Sequence, residues 1–217
     1  MEWPRPNEKL IQSGIDWQHN ACVDCYTPTL GSYAAKFKDA ADVLLREAAA
    51  GDATLDSVVI PIMFLYRQYL ELTLKEIILF GRKVVGTGSG YPTSEHDLKT
   101  LWGEALSLLT RHYGPRVPPE IANVTPSIED LHACDPRSFA FRYPTDKHGK
   151  PYLKTVRHIN IRNLYEVMGR LSSFLDCMTI DLSAAYEYIN EQKGGGPNRD
   201  HCRIDPSAPG RYKQHGG

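Results

Sequence analysis

The segment Val58–Phe80, VVIPIMFLYRQYLELTLKEIILF, decides the fold. Apolar residues cover most of the circumference of a helix drawn over this stretch, and Asp56 or Ser57 can cap its start. Pro61 is tolerated because it lies close to the first turn, where backbone N–H groups need no partner. A helix that is apolar on nearly every side is enclosed by other helices. We therefore expect this helix at the centre of the molecule.

Three of the four charged residues in the apolar segment lie on one stripe of the helix. Arg67, Glu71 and Lys75 are spaced at i, i+4 and i+8, so they share one stripe of the helix. A buried charge is costly unless it is paired, so Arg67 must find a carboxylate, and Glu71 is the nearest candidate. The more distant candidates are three aspartates: Asp97, Asp135 and Asp146. We interpret the stripe as a structural ion-pair ladder, with a ligand or phosphate site as the alternative.

Helical periodicity predicts further helices on both sides of the central one. They cover residues 32–50, 93–113, 125–133 and 160–189, with Gly51 as a stop signal and Thr93, Ser94 and Asn160 as candidate caps. In the first of these helices, Tyr33, Phe37, Ala41, Leu44 and Ala48 recur at threes and fours. Alternating aromatic residues and a turn predict a small hairpin-like insertion at about 139–155.

The resulting fold prediction is an all-α, up-and-down bundle of four to five main helices. Residues 1–30 are expected to form an N-terminal arm, residues 31–191 the helical domain and residues 192–217 a disordered tail rich in Gly, Pro and charge. With 217 residues, 41% of them hydrophobic, the chain has enough apolar material for one core.

Charge and cysteine usage limit the classes of function. The formal net charge is −1, so any contact with nucleic acid must use a local basic patch. Such a patch contains Lys147, Lys150, Lys154, Arg157, His158 and Arg162. It either binds phosphates or is simply a solvated face. Five scattered cysteines argue against a secreted disulfide framework, and no apolar run is long enough to span a bilayer. We expect a cytoplasmic protein without a membrane segment.

The strongest metal-like pattern is His19, Cys22 and Cys25, which have the spacing H-x2-C-x2-C. A complete zinc site needs a fourth ligand or water, and the chain has no second C-x2-C pair to supply it. We therefore predict no metal site and no cofactor.

Three motifs in order resemble the HEPN family of helical bundles. They are YRQYLELTLKEII at 66–78, HDLKTL at 96–101 and FRYP at 141–144. The resemblance implies a helical bundle that often forms a homodimer. It also implies functions on RNA or nucleotides, which range from metal-independent ribonucleases of toxin or defence systems to non-catalytic partners of nucleotidyltransferases or other proteins.

Family ribonucleases resemble one another in an Arg that is followed, after four to six residues, by a His. Five residues separate Arg142 from His148. The resemblance implies that Arg142 stabilises the charged phosphate and that His148 carries the proton during RNA cleavage. The alternative is a non-catalytic binding or scaffold protein in which Arg142 is an internal strut and His148 an exposed turn residue.

The sequence also predicts a polar cluster on the central helix, as a binding site or as a structural feature. Its predicted members are Arg67, Glu71, Lys75, His96, Asp97 and Asp146. If His96 and Arg142 converge on the charged stripe, a functional role is favoured, because polar clusters inside apolar bundles often form sites.

Overall fold

The fold is an all-α bundle of five helices, as predicted. A computed structural model describes residue 3 and residues 6–23 and 27–194. The helices are α1 (Leu30–Ala50), α2 (Leu55–Val85), α3 (Leu98–Tyr113), α4 (Val124–Cys134) and α5 (Ile161–Gln192). Within these ranges the chain forms no strand, only one antiparallel bridge between Thr145 and Pro151. The hairpin-like insertion is thus a loop closed by a single bridge.

Helix α2 is the central element, which confirms the prediction from its apolar circumference. It packs against α1, α3 and α5. Tyr69 and Ile78 are 2% and 0% exposed, and because they are nine residues apart they lie on opposite sides of the helix. Because α2 faces neighbours on several sides, its charged residues must be paired within the protein.

The ends of α2 differ from the prediction. Its N-cap is Thr54 instead of Asp56 or Ser57, and the helix continues to Val85 before Gly86 ends it in the left-handed conformation. Pro61 therefore lies in the seventh helical position and not near the first turn. Pro61 is exposed, and so is Ser57, whose carbonyl would accept the N–H that proline lacks.

Helix α3 begins later than predicted. Thr93 and Ser94 precede the helix, and Asp97 caps it by accepting the backbone N–H of Thr100 at 2.8 Å. The apolar residues that recur at helical spacing in α3 are all buried: Leu98, Leu101, Trp102, Ala105, Leu108 and Leu109. The periodicity therefore identified the buried face correctly even though it misplaced the cap.

The first and last helices frame the bundle. Asn160 caps α5 as predicted, by accepting the N–H of Asn163 at 3.0 Å. In α1, Tyr33 is exposed although it belongs to the periodic series of the sequence, and Ala34 is buried instead. A capping box between Thr29 and Ser32 starts α1.

Glu76 of α2 ties the start of α1 to the central helix. Its Oε1 accepts the backbone N–H of Gly31 at 3.0 Å. Burial raises the pKa of Glu76 and the Gly31 N–H lowers it, while the nearby Asp176 raises it again, so the pKa lies above its usual value. Folding therefore makes this carboxyl group harder to ionise than it is in the unfolded chain.

The two predicted extensions are described only in part. Residues 6–23 are almost entirely exposed and form one short 3-10 turn, Trp17–His19. The predicted disordered tail, 192–217, lies outside the described residues from position 195 onward. Among the described helices, none is long and apolar enough to cross a membrane.

Candidate functional site

A buried ion-pair ladder runs along the inner face of α2. Arg67 is only 1% exposed. Its guanidinium donates to Glu71 Oε2 at 3.0 Å and to the carbonyl of His96 at 2.7 Å, and its Nε lies 3.1 Å from Asp135 Oδ2. One side chain of α2 thus holds the loop before α3 and the loop after α4.

Glu71 forms the centre of the ladder. Its Oε1 accepts a hydrogen bond from Lys75 Nζ at 3.0 Å and lies 2.8 Å from His96 Nδ1. Burial is the largest influence on the pKa of Glu71 and raises it, but hydrogen bonds from Lys75, His96 and Arg67 outweigh burial and hold the pKa below its usual value. The carboxylate form is therefore the stable one inside the bundle.

Four of the six predicted cluster residues come together, and two do not. Arg67, Glu71, Lys75 and His96 are in contact. Asp97 instead caps α3, with one carboxylate oxygen 3.4 Å from His132 Nδ1. Asp146 instead accepts the backbone N–H groups of His148 and Lys150 in the exposed loop. Asp135, one of the three distant aspartates considered, is the carboxylate that reaches Arg67.

The ladder is balanced in charge. Its two buried cations, Arg67 and Lys75, face two buried carboxylates, Glu71 and Asp135. Every charged group in it has at least one partner, and His96 is the only member with a largely exposed side chain. This arrangement favours the structural interpretation of the stripe, because no cation or carboxylate in it is left to hold a ligand.

The loop after α4 is built on Asp135. While Oδ2 pairs with Arg67, Oδ1 accepts the backbone N–H groups of Phe139 at 2.7 Å and Ala140 at 3.0 Å. Ser138 takes the left-handed conformation, with φ of 61°, which tightens the turn. The root of an exposed loop is thus fixed by a buried carboxylate.

An aromatic platform of Phe139, Arg142, Tyr143 and Tyr152 stands on this turn. The guanidinium carbon of Arg142 lies 5.0 Å from the ring centroid of Phe139 and 5.7 Å from that of Tyr143. Arg142 Nε also donates to the Ser138 carbonyl. The Phe139 centroid is 6.2 Å from that of Tyr143 and 6.4 Å from that of Tyr152, and all three rings are more than one-third exposed.

Arg142 and His148 share the loop, and no hydrogen bond joins their side chains. Arg142 does not reach Glu71, so the predicted internal strut is wrong and its side chain is exposed. His148 is exposed as well, and among the described residues its imidazole has no hydrogen bond or ion pair. The predicted catalytic pair stays a prediction.

The loop is strongly basic for a chain that is nearly neutral. Residues 135–160 contain six Lys or Arg and two Asp, a formal net charge of +4. All six basic side chains are exposed, and none of them pairs with a carboxylate in the part of the chain that the structure describes. The sequence indicated the basic patch but not the platform, although the alternation of aromatic residues around Arg142 was its signal.

Of the three residues in the H-x2-C-x2-C pattern, the structure describes His19 and Cys22. Cys25 lies outside the described residues. Across the ranges that the structure covers, no group of three His, Cys, Asp or Glu side chains is arranged to hold a metal ion.

Comparisons with known proteins identified no relative of this chain. A scan against protein-family models, a search of curated proteins and a search of solved structures found no match. The HEPN resemblance therefore remains an expectation based on three motifs.

Proposed function

We propose that this chain is a HEPN-like RNA-binding protein that contacts single-stranded RNA through its 135–160 loop. The observation that carries the proposal is the aromatic platform, on which Arg142 lies over Phe139 and Tyr143. Unpaired bases stack on exposed aromatic rings and on the plane of an arginine guanidinium, whereas bases inside a duplex are not available for stacking.

The charge of the loop supports the same conclusion. Besides Arg142 in the platform, five exposed and unpaired basic side chains lie in the same loop, so a strand stacked on the rings has cations near its phosphates. If about four phosphates are neutralised, the slope of log K against log salt is about −3 for single-stranded RNA. Affinity then falls about 50-fold between roughly 50 and 200 mM salt.

The test is fluorescence anisotropy with a labelled single-stranded RNA of about twelve nucleotides, a length within the range of known single-strand sites. Replacing Tyr143 with Ala or Arg142 with Gln should weaken binding by about tenfold, since each stacked base is worth roughly 1–3 kcal/mol. The matched controls are Tyr188→Ala and Arg111→Gln, which remove an exposed tyrosine and an exposed arginine outside the loop. Wild-type affinity in both platform variants would contradict the proposal.

A second candidate function is RNA cleavage. It is favoured by one observation: Arg142 and His148 are both exposed on one loop, and neither is neutralised by a carboxylate. In this reaction His148 takes the proton of a ribose 2′-hydroxyl, whose oxygen attacks the adjacent phosphorus. The P–O5′ bond breaks as the protonated His148 gives its proton to the leaving O5′, which yields a 2′,3′-cyclic phosphate and a 5′-hydroxyl, while Arg142 stabilises the charged phosphorane. The resemblance implies that a second copy of the chain completes the site.

Cleavage is tested by gel analysis of labelled RNA with and without a chelator. We expect chelator-resistant cleavage that is lost in His148→Ala and in Arg142→Ala, and a homodimer by light scattering. A 2′-deoxy substitution at the cut position should block the reaction. If wild-type protein binds RNA without cutting it, the chain is the non-catalytic binding or scaffold member of the two alternatives.

A further inference from the structure

A cavity of about 670 Å³ lies where the C-terminal half of α1, the start of α2 and the start of α5 meet. Its apolar walls include Leu45, Leu55 and Ile161. Leu45 is buried, whereas Leu55 is 51% exposed, so the cavity has an apolar floor and an open mouth. Its volume is in the range of small-molecule sites, which run from roughly 300 to 1,000 Å³.

Two arginines and one tyrosine complete the lining. Arg46 comes from α1, and Arg162 and Tyr165 come from the first turns of α5. No aspartate or glutamate lines this cavity, and neither arginine forms an ion pair with any residue that the structure describes. The cavity is therefore cationic as well as apolar.

The carboxylate one helical turn before Arg46 on α1 is already used. Asp42, one turn before Arg46, binds Lys38 Nζ at 2.7 Å through Oδ2 and accepts the Tyr66 hydroxyl at 2.6 Å through Oδ1. Arg46 therefore has no competing intramolecular partner one turn away on that side. An arginine without a partner at the edge of an apolar cavity can bind an anion through two parallel N–H groups.

We propose that this cavity binds an amphiphilic organic anion, in which an apolar body carries a single carboxylate, sulfonate or phosphate head. The body would contact Leu45, Leu55 and Tyr165, and the head would lie between Arg46 and Arg162. The one amide in the lining, Asn160, already uses its side-chain oxygen to cap α5, so the lining offers mainly hydrogen-bond donors, which suit an anionic head. This site is separate from the aromatic platform and does not depend on the proposed function.

The experiment uses anilinonaphthalene sulfonate, a fluorescent aromatic anion, and phenylnaphthylamine, its neutral analogue without the sulfonate. We expect saturable binding of the anion to the full chain. The double variant Arg46→Gln/Arg162→Gln should weaken anion binding by about tenfold or more, because two charge-assisted contacts are lost. Binding of the neutral probe should stay within about twofold, because the apolar walls are unchanged.

Two further variants locate the site. Arg111→Gln/Arg116→Gln removes the same charge from an exposed surface of the bundle and should leave both probes bound as in wild type. Ala49→Trp places a large side chain in the lining and should weaken both probes. Circular dichroism and thermal unfolding confirm that each variant is folded.

A decanoate titration that displaces the fluorescent anion from wild type, and not from the Arg46→Gln/Arg162→Gln variant, would support the assignment with a non-aromatic ligand. Anion binding that is non-saturable, or equal in wild type and in the Arg46→Gln/Arg162→Gln variant, would overturn the proposal. So would an equal loss of anion binding in the Arg111→Gln/Arg116→Gln control.

Discussion

Replacing Arg67 with Met should be among the most destabilising single changes in this chain. The substitution leaves Glu71 Oε2 and Asp135 Oδ2 without their cation and the His96 carbonyl without its donor. Removing one partner of a buried ion pair costs about 3–5 kcal/mol, because the remaining charge stays away from water. Lys75 still serves Glu71 Oε1, and two backbone N–H groups still serve Asp135, which keeps the loss within that range.

The measurement is urea unfolding followed by far-UV circular dichroism. The midpoint should fall while the slope m stays constant, and the melting temperature should drop by about 6–20 °C for a domain of this size. Arg170→Met is the matched control: this exposed arginine of α5 forms no ion pair with the described residues, so its loss should cost less than about 0.5 kcal/mol. A cost below about 1 kcal/mol for Arg67→Met would refute the reasoning, since a buried arginine with three partners cannot then be holding two loops to α2.

Two further pairs of variants test the core. Glu71, whose pKa is lowered on folding, contributes stability that is present above its unfolded pKa and is lost as the pH falls through the lower folded value. Glu71→Gln should therefore destabilise the protein at pH 7 and progressively less as the pH falls. Glu76→Gln, at a carboxyl group whose pKa is raised, should be neutral or stabilising at pH 7. Urea unfolding from pH 7 to acidic pH measures both variants, and equal losses of stability at pH 7 would contradict the assignment. Gly81→Ala should gain no stability, because its new Cβ would lie 3.0 Å from Leu108 Cβ. Gly103→Ala has open space around the new Cβ and should gain about 1 kcal/mol from helix propensity. Equal thermal shifts in the two variants would show that α2 and α3 are not in close contact at Gly81.

The helices could be predicted from sequence because the spacing of apolar residues reflects burial directly. The α3 stripe and the Asn160 cap of α5 were correct for this reason. The caps of α2 and α3 were misplaced because several Thr, Ser and Asp residues precede each helix, and all of them can accept an N–H bond. Packing decides between them: Asp97 is used because Leu98 is the first residue of α3 whose side chain is completely buried.

The charged ladder could be predicted only as far as one helix extends. The i, i+4 relation places Glu71 beside Arg67 whatever the tertiary structure is. The choice among three distant aspartates required knowledge of where α4 ends, because Asp135 reaches Arg67 only when α4 brings its C-terminus to α2. Likewise, Arg142 could be interpreted as a strut until the structure showed that its guanidinium lies over exposed rings.

Asp135 connects the stability of the core to the surface proposed to bind RNA. One of its carboxylate oxygens pairs with Arg67, and the other fixes the backbone N–H of Phe139, three residues before Arg142. A platform whose root is already ordered loses less conformational entropy when a strand stacks on it than a free loop would. The buried ladder is therefore more than a means of placing charges in the core. By holding Asp135, Arg67 preorganises the exposed loop through this carboxylate and not through the aromatic rings of the platform.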